Sequence, residues 1–212
     1  EESNKLKKSG KKVYKFGFGQ SPFPVPESIV SALKNNANKN TYLPMQGLGE
    51  LRSAIANQLN QSNNNDFVAE NIIVGPGTKE LMFLTQIAFE GEILLPAPSW
   101  VSYQPQAVIA KNKVHWIQTS NSSNWFPTAE QIENKIKSIK NKNLLLFMNS
   151  PNNPSGMLCK NLEEIAEVAK KHRLIILSDE IYSRLTFNNQ YKSISNFYPE
   201  GTIVSTGLSK WC

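Results

Sequence analysis

"NLLLFMNSPNNPSG", Asn143–Gly156, decides the fold of this 212-residue chain. Its first half is an apolar run without alternation. A strand with one face in water alternates apolar and polar residues, so an unbroken run marks a strand covered on both faces, as in a parallel sheet between helices. Its second half packs two prolines, three asparagines and a glycine into eight residues, a composition suited to a rigid turn. The stretch therefore predicts a buried strand that delivers polar side chains at its carboxyl end.

The same pattern recurs on either side. The runs "NIIV" (71–74), "EILLP" (92–96), "KVHWI" (113–117), "RLIILSD" (173–179) and "TIVST" (202–206) alternate with helical patterns at 78–89, 99–110, 128–139 and 161–172. Strands and helices in alternation predict an α/β fold, a mainly parallel sheet sandwiched by helices. Further upstream, residues 1–25 read as an irregular arm. "PESIVSALKNNA" opens a helix on Pro26 with Ile29, Val30 and Leu33 on one face, and "GELRSAIANQL" gives another with Leu51, Ile55 and Leu59.

Composition excludes several classes. The net charge is +6, yet only Arg52, Arg173 and Arg184 are arginines, which argues against nucleic-acid recognition, since bidentate contacts favour arginine. No apolar run approaches the length of a membrane span, about 18 residues. Cys159 and Cys212 are far apart and outside any CxxC or metal-ligand spacing, as expected of free thiols in the cytoplasm. His115 and His172 are equally isolated, and His172 suits the negative end of a helix. Metal and triad chemistry have little support.

In a parallel sheet, ligands bind beyond the carboxyl ends of the strands. Those ends carry "GPGTKE" (75–80), "APSWVSY" (97–103), "NSPNNPSG" (149–156), "SDEIY" (178–182) and "STGLSK" (205–210). "GPGTKE" offers backbone N–H groups and a helix end to a phosphate, with Thr78 adding a hydroxyl. Trp100 offers a flat face for stacking. Asn153 offers an amide, Asp179 a carboxylate for a protonated ring nitrogen, and Tyr182 a phenol for a ring oxygen. Lys210 offers an amine. Singly, each is more often structural; as a set they answer the needs of pyridoxal phosphate.

These stretches, with "YLPMQGLGELRSAI" (42–55), resemble the class I and II aminotransferases of fold type I in order and spacing from about Phe16 onward. The resemblance implies a cofactor-binding large domain over 46–212, incomplete at its C-terminus, preceded at 1–45 by an arm and part of a small domain. It implies an enzyme that moves an amino group from an α-amino acid to a 2-oxo acid, with Lys210 forming the Schiff base and then acting as acid and base. Asp179 would keep the pyridine nitrogen protonated, Asn153 and Tyr182 would bond the ring oxygen, and Trp100 would stack. Gly77, Thr78, Lys79 and Ser209 would bind the phosphate, Tyr42 would reach the phosphate of the neighbouring subunit of a homodimer, and Gly19 would lie in the segment closing over substrate. The family often has serine where Gly207 stands. Its phosphate-binding and carboxylate-binding arginines match none of the three here, so the resemblance implies a chain continuing past Cys212 and inactivity for residues 1–212 alone. A lyase on the same cofactor site, or an aminotransferase-like sensor domain of a transcription regulator, are the alternative expectations.

Overall fold

A computed structural model describes residues 2–14, 17, 19–21, 23–62, 65–187 and 191–212; Phe16, where the resemblance begins, lies outside them. The helices are α1 (Glu2–Lys8), α2 (Glu27–Asn36), α3 (Gly49–Ser62), α4 (Thr78–Ala88), α5 (Tyr103–Ile109), α6 (Ala129–Ser138) and α7 (Leu162–His172). The strands are β1 (Glu92–Ala97), β2 (Val114–Gln118), β3 (Leu144–Asn149), β4 (Ile175–Asp179) and β5 (Thr202–Ser205). Asn40–Gly207 form one compact unit, and residues 1–39 with 208–212 form another.

The larger unit is built on one sheet, order β2-β1-β3-β4-β5, with every pair parallel. Side chains alternate across it and feed two cores. Leu94, Leu144, Leu146, Met148 and Ile176 pack with Ile132 and Ile136 of α6 and Ile165 and Ala169 of α7. Ile93, Leu95, Leu145, Phe147 and Leu177 pack with Met82 of α4 and Tyr103 and Ala107 of α5. All six residues of β3 are buried, which is why its sequence shows no alternation. Each fully buried aliphatic side chain contributes roughly 1.5–3 kcal/mol, so the central strand anchors both layers. Among the described residues no helix is long and apolar enough to cross a membrane.

Three expectations need correction. "NIIV" does not join the sheet: the Val74 N–H donates to the Gln46 carbonyl (3.0 Å) and Ile73 is 63 % exposed. Gly47 makes that approach possible, because a Cβ there would sit 2.8 Å from Val74 Cβ. The helix expected at 99–110 begins only at Tyr103. The N-terminal arm is not wholly irregular: α1 forms at Glu2–Lys8, with Glu2 in its first turn and lysines in its last, charges that suit the helix dipole. The helix expected to open on Pro26 does form, as α2, with no residue buried and Ile29 and Leu33 exposed.

Candidate active site

Each polar group at the carboxyl end of the sheet is set by the strand that carries it. Asp179 closes β4 in register with Asn149 of β3 and Ser205 of β5. It is 3 % exposed. The Tyr103 phenol donates to its Oδ2 at 2.6 Å and the Ile181 N–H to its Oδ1 at 3.2 Å. Burial, and then the neighbouring Asp179 charge, push the Tyr103 phenol well above its usual range, so it stays protonated and is a permanent donor. The sequence pattern singles out Trp100 and leaves Tyr103 unmarked. The available signal was its spacing, three residues on, which brings the two rings edge to face with centroids 5.3 Å apart. Tyr103 is thus braced by Trp100 on one side and by Phe147, 4.9 Å away, on another.

The asparagines of "NSPNNPSG" divide the work. Asn149 Nδ2 donates to the Asp179 carbonyl (2.9 Å), while its Oδ1 accepts from the Asn153 N–H (2.7 Å). Asn152 closes the turn, its Oδ1 accepting from the N–H and hydroxyl of Ser155. Asn153 is left to reach outward, its Nδ2 3.4 Å from Tyr182 Oη. Two groups expected on one ring oxygen are therefore neighbours.

The start of α4 is bare. Gly77 has φ 115°, no side chain caps the helix, and a Cβ on Gly77 would meet nothing within 4 Å. The Gly77 N–H donates to the Gly75 carbonyl at 2.8 Å, so the N–H groups that follow it in the first turn are the ones an anion would meet. Lys79 Nζ lies 5.1 Å from the centre of the Trp100 ring, a cation–π contact that couples cradle to stacking residue. Opposite, a Cβ on Gly207 would touch Ile181 Cδ1 (3.4 Å) and Thr78 Cγ2 (3.6 Å), so the strand-end segment after β5 reaches the cradle.

Lys210, Ser209 and Gly19 belong to the other compact unit. There the Lys210 ammonium donates to the Gly19 carbonyl at 3.3 Å, bringing together two residues chosen separately from the sequence. Tyr42 is fully exposed, as is Met45 three residues on. His115 and His172 are engaged elsewhere, His115 with Glu92 and His172 with Glu133. No group of three or more His, Cys, Asp and Glu residues able to hold a metal occurs among the described residues.

An anion cradle, a flat aromatic face, a buried carboxylate and a paired amide and phenol fit a phosphorylated heteroaromatic ring with an ionisable nitrogen and a ring oxygen. Comparison with known proteins agrees. The chain belongs to the class I and II aminotransferase family, whose model matches residues 11–211. That family depends on pyridoxal phosphate. The chain is 34 % identical to an aspartate aminotransferase of Bacillus sp. (strain YM-2), an alignment covering 98 % of this chain and 55 % of that protein. It is 33 % identical to an asparagine–oxo-acid transaminase of Streptococcus mutans over 97 % of this chain and 54 % of that one. The solved structure of Thermus thermophilus aspartate aminotransferase with maleate matches with TM-score 0.88 at 28 % identity, covering 99 % of this chain and 56 % of that one. The chain spans about half the length of the curated relatives it matches.

Proposed function

We propose that this chain is the cofactor-binding portion of a pyridoxal-phosphate-dependent aminotransferase, which moves an amino group from an α-amino acid to a 2-oxo acid. The observation that carries this reading is Asp179: a buried carboxylate at the end of a central strand, oriented by Tyr103 and the Ile181 N–H, with Tyr182, the partner of Asn153, three residues on. Pyridoxal phosphate supplies, when bound, a protonated pyridine ring that draws electrons from the substrate Cα and weakens its C–H bond.

The residues have separate tasks in this reading. Asp179 would keep the ring nitrogen protonated, and Tyr103 keeps Asp179 in one orientation. Asn153 and Tyr182 would donate to the ring oxygen. Backbone groups of Gly77, Thr78 and Lys79, with the Ser209 hydroxyl, would hold the phosphate. Trp100 would cover one ring face and keep water from it. Lys210 would supply the amine that holds the cofactor and the acid–base group that moves the substrate Cα proton. Gly19 lies in the segment that closes over substrate. The complete protein acts as a homodimer in the cytoplasm, with Tyr42 reaching the partner's phosphate; the full exposure of Tyr42 supports its availability, and two free, unclustered cysteines suit a reducing compartment.

The test is the absorption spectrum of the full-length protein with pyridoxal phosphate, before and after L-glutamate, alongside Lys210→Ala. A visible band that fades on adding glutamate, with one 2-oxoglutarate formed per site and no ammonia, is expected. Lys210→Ala should lose the band's response. Ammonia release would assign the site to a lyase instead, and the absence of any band would sink the enzyme reading.

A further inference from the structure

Two acidic residues stand side by side at the end of β4, and the sheet separates them. Asp179 serves the face of Trp100 and Tyr103. Glu180 turns toward Ser178 and the segment past the turn, with 3 % exposure, while its backbone N–H is tied to the Ser205 carbonyl at 2.8 Å. Glu180 Oε1 accepts from Ser178 Oγ at 2.9 Å and from Ser193 Oγ at 2.6 Å. A hydroxyl has one proton to donate. Ser193 has given its own to Glu180, so it is the acceptor in its 2.7 Å contact with Ser195 Oγ. Ser195 in turn accepts from Asn65 Nδ2 at 2.8 Å. The bonds therefore run one way, from Asn65 through Ser195 and Ser193 to Glu180, and every member is at least nine-tenths buried.

Among the described residues no lysine, arginine or histidine pairs with Glu180. The titratable neighbours are Asp179 and Tyr191. Burial above all, and then the Asp179 charge, push the Glu180 carboxyl up, while burial and the Glu180 carboxyl push the Tyr191 phenol up. A neutral acid still offers Oε1 to both serines, and it adds no second negative charge beside Asp179.

We propose that Glu180 is a positioning residue of the cofactor site: one oxygen of its carboxyl grips Ser178 on the strand and Ser193 beyond the turn, and so fixes the segment 179–182 that bears Asp179 and Tyr182. The proposal rests on the aminotransferase reading. Glu180 touches none of the reacting groups; it acts through the geometry of its two neighbours, where a displacement of about 1 Å can cost up to a hundredfold.

The experiment uses the full-length protein and compares wild type with Glu180→Gln, Glu180→Ala and Ser193→Ala. Three quantities are read: the dissociation constant for pyridoxal phosphate from tryptophan quenching, the pH midpoint of the bound cofactor's visible absorption, and urea unfolding of the cofactor-free protein. Glu180→Gln keeps the shape and the accepting oxygen, and should stay within about twofold of wild type with an unmoved spectral midpoint. Glu180→Ala should weaken binding by about tenfold or more and move that midpoint by about half a pH unit or more. Ser193→Ala should do the same to a smaller extent, and decides the matter if Glu180→Ala does not fold. Alanine variants that unfold more easily but bind and titrate like wild type would make Glu180 a brace only and overturn the proposal. So would a Glu180→Gln as damaging as Glu180→Ala, since charge would then be the working property. A wild type that binds no pyridoxal phosphate sinks the aminotransferase reading, and the proposal with it.

Discussion

Replacing Tyr103 with phenylalanine removes one hydroxyl and nothing else. The ring keeps its edge-to-face contact with Trp100 and its tilted contact with Phe147, so no cavity opens beyond the oxygen itself. What disappears is a 2.6 Å bond to a carboxylate only 3 % exposed. A hydrogen bond to a charged group contributes about 1.5–3 kcal/mol, and a distance this short lies in the charge-assisted range. The Ile181 N–H still donates to Asp179 in the variant. We expect Tyr103→Phe to lower the unfolding free energy by about 2 kcal/mol. With a urea slope of about 2 kcal/mol/M, that is a midpoint shift of about 1 M. Combining it with Asp179→Asn should reduce the cost of Tyr103→Phe to about 1 kcal/mol, because the remaining bond joins neutral groups. Urea titration of the cofactor-free protein, followed by far-ultraviolet circular dichroism, reads both numbers. A midpoint shift under about 0.3 M, or an equal cost in both backgrounds, would refute the view that the phenol is an energetic partner of this carboxylate.

Gly207→Ser should fold as wild type, since its Cβ would meet only ordinary contacts with Ile181 and Thr78. Its hydroxyl should tighten phosphate binding about threefold to tenfold, the value of one added hydrogen bond; fluorescence titration with pyridoxal phosphate showing no change counts against the assigned cradle. Glu133 joins α6 to α7 through Lys171 (2.6 Å) and His172 (3.4 Å), with Lys137 at 3.3 Å on its own helix. The Lys171 contact foremost, then His172 and Lys137, lowers its carboxyl from 4.5 to about 2. A depressed acid stabilises fully above its unfolded value and loses that contribution as pH falls. Urea midpoints should therefore drop between pH 4.5 and 2 less steeply in Glu133→Gln than in wild type, and parallel curves would remove the clasp from consideration. Burial pushes the Cys159 thiol up to about 12, so iodoacetamide at pH 8 should label only Cys212 in the native protein and both cysteines in urea. Native labelling of Cys159, read by mass spectrometry, would contradict its placement.

The sequence made the sheet legible because burial on both faces leaves its mark on every residue of a strand such as β3. It misled at "NIIV", where three apolar residues are equally consistent with a strand and with a segment pinned to a neighbouring loop; what decides is the Gln46 carbonyl and the bare Cα of Gly47, neither of which is local to the run. The positions of Asp179 at the end of β4, and of Trp100, Asn153 and Tyr182 in the turns just past β1, β3 and β4, were legible because the strands themselves were. Tyr103 and Glu180 were not. A tyrosine one turn into a helix reads as ordinary core, and residue type cannot announce that a carboxyl between two chosen residues will be buried. Both act through hydrogen bonds to partners 76 and 13 positions distant in the chain, a relation that only the folded backbone supplies.

The register of β4 has a consequence for how this site tolerates change. Asp179 reaches the Tyr103 face only because an even number of steps separates it from Leu177 and Ile175, which line that same face, while Ile176 lines the other. The strand works as a ruler whose parity matters more than its composition. Substituting one aliphatic residue for another inside it costs packing energy and leaves the carboxylate where it was. Deleting a single residue between Ile175 and Ser178 would instead exchange the two sides, sending Asp179 into the layer beneath α7 and presenting Glu180 to the aromatic side.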